Sequence, residues 1–74
     1  MDNANSPEIV ATFEIPADGI AYVVAKIHTG YSVCVRDTDA GEGFAFKIFP
    51  SANFADPKAA AVACASAIAA KANV

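Results

Sequence analysis

The chain has 74 residues, of which 55% are hydrophobic and 18% charged, and its formal net charge is −3 at pH 7. This length excludes a multidomain protein, and the hydrophobic content excludes an intrinsically disordered chain. The negative charge argues against a general phosphate-backbone binder, which needs clustered Lys and Arg. The sequence also lacks the run of about 20 apolar residues that predicts a membrane span.

The first seven residues predict a flexible, polar tail, and residues 8–74 predict a single α+β domain. The tail has neither a basic segment nor an apolar stretch, so it does not have the pattern of a signal peptide. We therefore expect a cytoplasmic protein.

Four apolar runs, separated by turn residues, predict β-strands at residues 8–15, 20–28, 31–37 and 44–49. The segment Pro16–Gly19 carries Pro, Asp and Gly in turn order. Thr29–Gly30 is short enough for a tight hairpin, and Thr38–Gly43 predicts a polar hairpin tip. The second run is apolar on both faces, which is typical of a strand that is covered on both sides.

The last part of the chain predicts a helix over residues 57 to about 72. Asp56 is a good N-cap, Pro57 suits the first helical position, and nine of the sixteen residues are Ala, the best helix former. Apolar residues at helical spacing form a stripe: Ala61, Cys64, Ala65, Ile68 and Ala72.

The order of elements predicts a four-stranded antiparallel meander with the helix packed on one face. Strand alternation predicts this core face: Ile9, Ala11, Phe13, Ile15, Tyr31, Val33, Val35, Phe44, Phe46 and Ile48. The opposite face is then expected to remain open and to present Tyr22, Val24, Cys34, Ala45 and Phe49. Since one helix covers four strands incompletely, the open face and the apolar second strand indicate either a partner protein or a homodimer.

Few residues suggest chemistry. Cys34 and Cys64 form no CxxC motif and are interpreted as small buried side chains. His28 is the only histidine, and we interpret it as a polar residue at a strand end, although pairing with Cys34 on the next strand is open. No motif for a metal or cofactor is present, so we expect no cofactor and no enzymatic activity.

The hairpin tip after the third strand is the most distinctive polar feature. Asp37, Asp39 and Glu42 place three carboxylates within six residues, and Asp18 from the first turn is a candidate to join them. The Asp-x-Asp-x-Gly start overlaps part of a calcium loop, but its Glu comes too early. We therefore interpret these four carboxylates as an acidic surface that docks on an Arg- and Lys-rich partner. Tyr22 and Phe49 of the open face are added as partner-binding residues.

Two resemblances follow from these features. Gly30–Asp37, read Gly-Tyr-Ser-Val-Cys-Val-Arg-Asp and followed later by an Ala-rich helix, resembles the opening of HicB-type antitoxins, which carry a Gly-Tyr-x-Val strand ending in Asp. A tiny acidic domain with a short meander and one helix is similar to phage-encoded anti-CRISPR proteins. The second resemblance implies a cytoplasmic inhibitor that binds a host CRISPR effector complex and blocks DNA binding or nuclease recruitment.

The inhibitor is the function that we expect. The alternatives are a HicB-like domain that binds a small toxin or nuclease, and a small nucleic-acid-binding module. The latter would use Lys26, Arg36 and Lys47 together on the open sheet face.

Overall fold

The computed structural model describes residues 8–39 and 43–73. Within them, four antiparallel strands lie in chain order and a C-terminal helix packs on the sheet, which confirms the α+β meander. The elements are β1 (Glu8–Ile15), β2 (Ile20–Ile27), β3 (Gly30–Asp37), β4 (Gly43–Pro50) and α1 (Pro57–Ala72). Each predicted strand boundary is confirmed to within one residue. The predicted tail at residues 1–7, Glu42 and Val74 lie outside the described residues.

The turns follow from their residue types. Pro16–Asp18 forms one turn of 3₁₀ helix, and Gly19 closes it in the left-handed conformation at φ 67°, with its N–H donating to the Pro16 carbonyl at 3.2 Å. Glycine reaches this conformation without the Cβ strain that other residues meet. At the other end of the sheet, His28 and Thr29 alone connect β2 to β3, which makes the tight hairpin that the sequence predicted.

The helix begins as predicted. The Asp56 side chain accepts a hydrogen bond from the Ala59 N–H at 3.1 Å, and Pro57 occupies the first turn. At the other end, the side-chain amide of Asn73 donates to the Glu14 carbonyl at 3.2 Å. Since α1 starts near the Pro50 end of β4 and finishes at the far end of β1, it crosses the sheet diagonally.

The core lies between α1 and the two central strands together with β4. It is formed by Val24, Val33, Phe49, Ala61 and Ala65, all of them at most 4% exposed. Alanine at the buried helix positions lets the helix backbone come close to the sheet, so that the larger sheet residues fill the space. The buried positions of α1 are Ala61, Ala65 and Ala69, while Ala72 of the predicted stripe is exposed.

The expected assignment of the sheet faces is wrong at several positions. Val24 pairs with Val33, and Tyr22 pairs with Val35, so both face the helix and not the open side. Phe49 pairs with Tyr31 and is 4% exposed in the core. The strand pairing places Cys34 opposite Ala45, away from the helix, as predicted. Both cysteines are free.

Two β-bulges account for the exposure of Ile9 and Ile48. The pairing of β1 with β2 shifts between Ile9 and Ala11, and the pairing of β3 with β4 shifts at Phe46. A bulge interrupts the alternation of a strand, so that residues on its two sides no longer share the face that simple alternation predicts. As a result Ile9 and Ile48, both expected in the core, are 54% and 43% exposed. Two more residues expected in the core are also exposed, Phe44 and Phe46.

Candidate partner-binding end of the sheet

Two turns meet at one end of the sheet and are joined by hydrogen bonds. The Thr38 N–H donates to the Gly19 carbonyl at 3.0 Å, and the Thr38 hydroxyl donates to the same oxygen at 2.9 Å. The β1–β2 turn and the end of β3 are therefore held together, although they are 19 residues apart in the chain.

This junction places three of the predicted acidic residues at the same end of the sheet. Asp18 lies in the 3₁₀ turn directly before Gly19, Asp37 ends β3, and Asp39 follows in the next turn. All three are exposed. We call Asp18, Asp37 and Asp39 the acidic end. The fourth predicted carboxylate, Glu42, lies outside the described residues.

The acidic end has local order of its own. The Asp39 N–H donates to the Asp37 carboxylate at 2.8 Å, which forms an Asx-type turn. This bond fixes the direction of the chain as it leaves β3. Carboxylates held on a hydrogen-bonded frame lose less conformational entropy on binding than carboxylates on a free tip.

A shallow depression adjoins the acidic end on the helix side of the sheet. Its volume is about 340 Å³, and it is lined by Ile20, Val35, Asp37, Gly43 and Phe44. We call these residues the open corner. The depression exists because α1 runs diagonally toward β1 and leaves this end of β3 and β4 without cover. Phe44 is consequently 67% exposed.

Aromatic rings continue from the open corner toward the middle of the sheet. Tyr22 and Phe46 make an edge-to-face contact with ring centroids 5.7 Å apart. Phe46 is 48% exposed and Tyr22 is half-buried. Tyr22, expected on the open face as a partner-binding residue, therefore lies on the helix side behind Phe46.

Phe49, the other aromatic residue expected to bind a partner, belongs to the core. Its ring packs against Phe54 at a centroid distance of 5.2 Å, and the Lys47 ammonium lies 5.2 Å above it. Burial removes Phe49 from the surface that a partner would reach. The exposed aromatic residue at the acidic end is Phe44, which sequence reasoning had assigned to the core.

The basic residues do not form the sheet-face platform considered for nucleic acid. Lys26 pairs with Tyr31 and Lys47 with Val33, which places both on the helix side. Arg36 pairs with Ala21 on the opposite face. The three cations are therefore divided between the two faces of the sheet.

The structure also separates His28 from Cys34. Cys34 lies opposite Val23, and His28 is five residues further along the chain of β2. At about 3.3 Å per residue, this is a separation of about 16 Å, too far for a catalytic pair. His28 is exposed in the β2–β3 turn, as expected for a polar residue at a strand end. Cys34 instead contacts Ser32, with Oγ and Sγ 3.7 Å apart.

A search of the described residues, 8–39 and 43–73, gives two further findings. None of their His, Cys, Asp and Glu side chains form a group of three or more that could hold a metal ion. No helix in this part of the chain has the length and hydropathy needed to cross a membrane.

No protein-family model matches the chain, and comparison with curated proteins and with solved structures gives no significant match. The candidate function therefore depends on the chain's own residues and their geometry.

Proposed function

We propose that this chain is a non-enzymatic binding protein that docks its acidic end and open corner on a basic surface of a partner protein. The observation that carries the proposal is the pair of hydrogen bonds from Thr38 to the Gly19 carbonyl. They hold carboxylates from two separate turns at one end of the sheet, where the charges act together.

The open corner adds an apolar contact to the charged one. Phe44 offers an exposed ring, and Asp37 lies on the same depression. An arginine of the partner would stack on the ring and donate to a carboxylate at once, since its guanidinium is planar and carries five N–H donors. Lysine would gain the charge interaction without the same stacking, so we expect a partner surface richer in Arg than in Lys.

The narrower form of the proposal names the partner as a host CRISPR effector complex and the protein as a phage inhibitor. Effector complexes carry basic channels that bind nucleic acid. A small domain with net charge −3 and a rigid acidic end is suited to occupy such a surface and to exclude DNA from it. The acidic composition and the placement of the three aspartates support this form.

A pull-down with the tagged full chain from a bacterial lysate that contains CRISPR effectors tests the proposal. We expect mass spectrometry to identify effector subunits with the wild-type bait and not with Asp39→Lys. Glu8→Lys is the matched control, because it makes the same charge change at the opposite end of the sheet, where Glu8 pairs with Lys26. The control is expected to retain the subunits.

Other outcomes are informative in a different way. Recovery of a small toxin or nuclease instead of effector subunits would replace the CRISPR proposal with the antitoxin alternative. Equal recovery with Asp39→Lys and wild type would contradict the use of the acidic end.

A further inference from the structure

The two edges of the sheet differ in how well they are protected. Among the described residues, 8–39 and 43–73, the strand order leaves β1 and β4 with one unpaired side each. Proteins commonly protect such edges from pairing with another chain by charges, prolines and bulges. β1 has two glutamates, a bulge after Ile9 and Pro16 directly after its last residue.

β4 also has a bulge, at Phe46, and a proline as its last residue, Pro50, but it has fewer charges than β1. Over Gly43–Pro50 it carries a single charged residue, Lys47. Its side chain lies over the ring of Phe49, which belongs to the core of its own domain. The rest of the strand presents exposed apolar side chains, with Phe44 at 67%, Phe46 at 48% and Ile48 at 43% exposure.

The backbone of β4 is oriented for pairing along its free side. The Ser51 N–H donates to the Thr29 carbonyl at 2.8 Å, so Thr29 and Ser51 form a hydrogen-bonded pair. The next pair, Gly30 with Pro50, is not hydrogen-bonded, and Pro50 has no N–H to donate. Alternation of the antiparallel ladder then turns the N–H and C=O of Ile48 away from β3. These groups point toward the free edge, where another strand would reach them.

We infer that β4 is a homodimerisation edge, at which two copies of the chain pair antiparallel about a twofold axis and form one eight-stranded sheet. A second copy is the occupant because an antiparallel edge is complementary to itself: each strand offers the other the same unpaired donors and acceptors. The pairing also brings the exposed phenylalanines of one strand beside those of the other.

Charge supports a second copy in spite of the net charge of −3. The strand contains no Asp or Glu. The acidic end lies at the β1–β2 turn and the end of β3, beside the Gly43 end of β4, so antiparallel pairing of two β4 strands puts the two acidic ends at opposite ends of the paired strands. The like charges of two protomers are therefore kept apart. This inference does not rest on the proposed function, although the two surfaces share Phe44, which belongs both to the open corner and to β4.

The size of the edge sets the strength of the dimer. A standard interface buries about 800 Å² per partner, which is about one sixth of the 4803 Å² surface of this chain. One strand edge with three exposed apolar side chains offers less than that area. We therefore expect a weak dimer with a dissociation constant in the micromolar range.

Sedimentation equilibrium of the full chain, up to on the order of 500 µM, tests the inference at the concentrations that a small interface requires. The mass is expected to rise from 7.6 kDa toward twice that value. Phe44→Lys and Ile48→Lys should each raise the dissociation constant at least about tenfold, since they bring a charge into the interface. Ile9→Lys, at an equally exposed residue on β1, is the matched control and should leave the dimer unchanged.

Hydrogen exchange keeps the test decisive if a β4 variant fails to fold. In the wild-type chain, amide protection in β4 is expected to increase with protein concentration, while protection in β1 stays constant. A monomer mass over the whole concentration range would overturn the inference. A dimer that is lost in Ile9→Lys but kept in folded Phe44→Lys and Ile48→Lys would overturn it as well.

Discussion

Thr38 contacts the carbonyl oxygen of Gly19 through two donors, its backbone N–H at 3.0 Å and its hydroxyl at 2.9 Å. Gly19 is the left-handed residue that closes the turn after β1, and Thr38 is the first residue after β3. The contact therefore joins two turns that both carry carboxylates. It counteracts the repulsion between those carboxylates, and it is the structural basis of the acidic end.

Replacing Thr38 with valine removes the side-chain hydrogen bond and leaves the backbone one. We expect Thr38→Val to lower the free energy of unfolding by about 0.5–1 kcal/mol, because the bond is exposed and exchanges with water. Urea unfolding measures the change. Thr12→Val, at an exposed position in the middle of β1, is the control and should stay within about 0.5 kcal/mol of wild type.

Gly19 and Gly30, the two positive-φ glycines among the residues that the structure describes, are expected to respond differently to alanine. At Gly30 a Cβ would collide with the Phe49 carbonyl oxygen and lie 2.8 Å from the Ser51 nitrogen, and both are backbone atoms that cannot move aside. At Gly19 no atom lies within 4 Å, so only the left-handed conformation is costly.

We expect Gly19→Ala to lower the free energy of unfolding by about 1–2 kcal/mol, because the left-handed conformation is strained for a residue with a Cβ. Gly30→Ala should lower the free energy of unfolding by at least about 3 kcal/mol, because the β2–β3 hairpin and the core around Phe49 must shift together. Thermal unfolding followed by circular dichroism compares the two variants. Equal losses of stability would contradict the close approach of β4 to Gly30.

The helix depends on small side chains where it meets the sheet. Ala65 is fully buried against the core, and Ala63, two residues earlier on the other side of the helix, is exposed. We expect Ala65→Leu to destabilise the fold by about 1–3 kcal/mol through overpacking. Ala63→Leu should change stability by less than about 0.5 kcal/mol, since leucine is a good helix former and finds open space. Similar losses at both positions would contradict the orientation of α1.

The N-cap of α1 gives an independent check on the helix start. Asp56→Ala removes the acceptor of the Ala59 N–H and should cost about 1 kcal/mol. Asp56→Asn keeps an acceptor and should retain most of that stability. Urea unfolding of the two variants distinguishes loss of the cap from loss of the charge alone.

The sequence predicted the elements well because their signals are local. Pro16 and Gly19 mark the first turn, and Asp56 with Pro57 marks the helix start, so each boundary depends on residues within a few positions of it. Turn chemistry of this kind acts through the backbone of the residues themselves. It is readable without knowledge of the tertiary structure.

The assignment of faces required information that is not local. The bulge at Phe46 reverses the alternation of β4, and no glycine marks it in the sequence. The position of Val24, in contrast, could have been found. The short turn after β2 pairs it with β3 so that Val24 and Val33 share a face, and this signal outweighs the ambiguous alternation within β2.

The candidate site was predicted in its charges but not in its apolar part. Asp37 and Asp39 are grouped by their closeness in the sequence, and Asp18 is only a candidate to join them. The structure brings Asp18 to them because alternate turns of a meander lie at the same end of the sheet. The exposure of Phe44 follows from the diagonal path of α1, which depends on how small helix residues pack on the sheet. Such a path is a property of the whole fold and has no signature in the residues of β4.

The most direct test of the account is the affinity of the captured partner for three forms of the chain: wild type, Asp39→Lys and Glu8→Lys. We expect Asp39→Lys to weaken binding at least about tenfold, because it replaces an attraction to a basic surface with a repulsion. Glu8→Lys, with the same change in net charge at the opposite end of the sheet, should bind as wild type does. Equal affinities of Asp39→Lys and wild type, in chains that are both folded, would contradict binding through the acidic end.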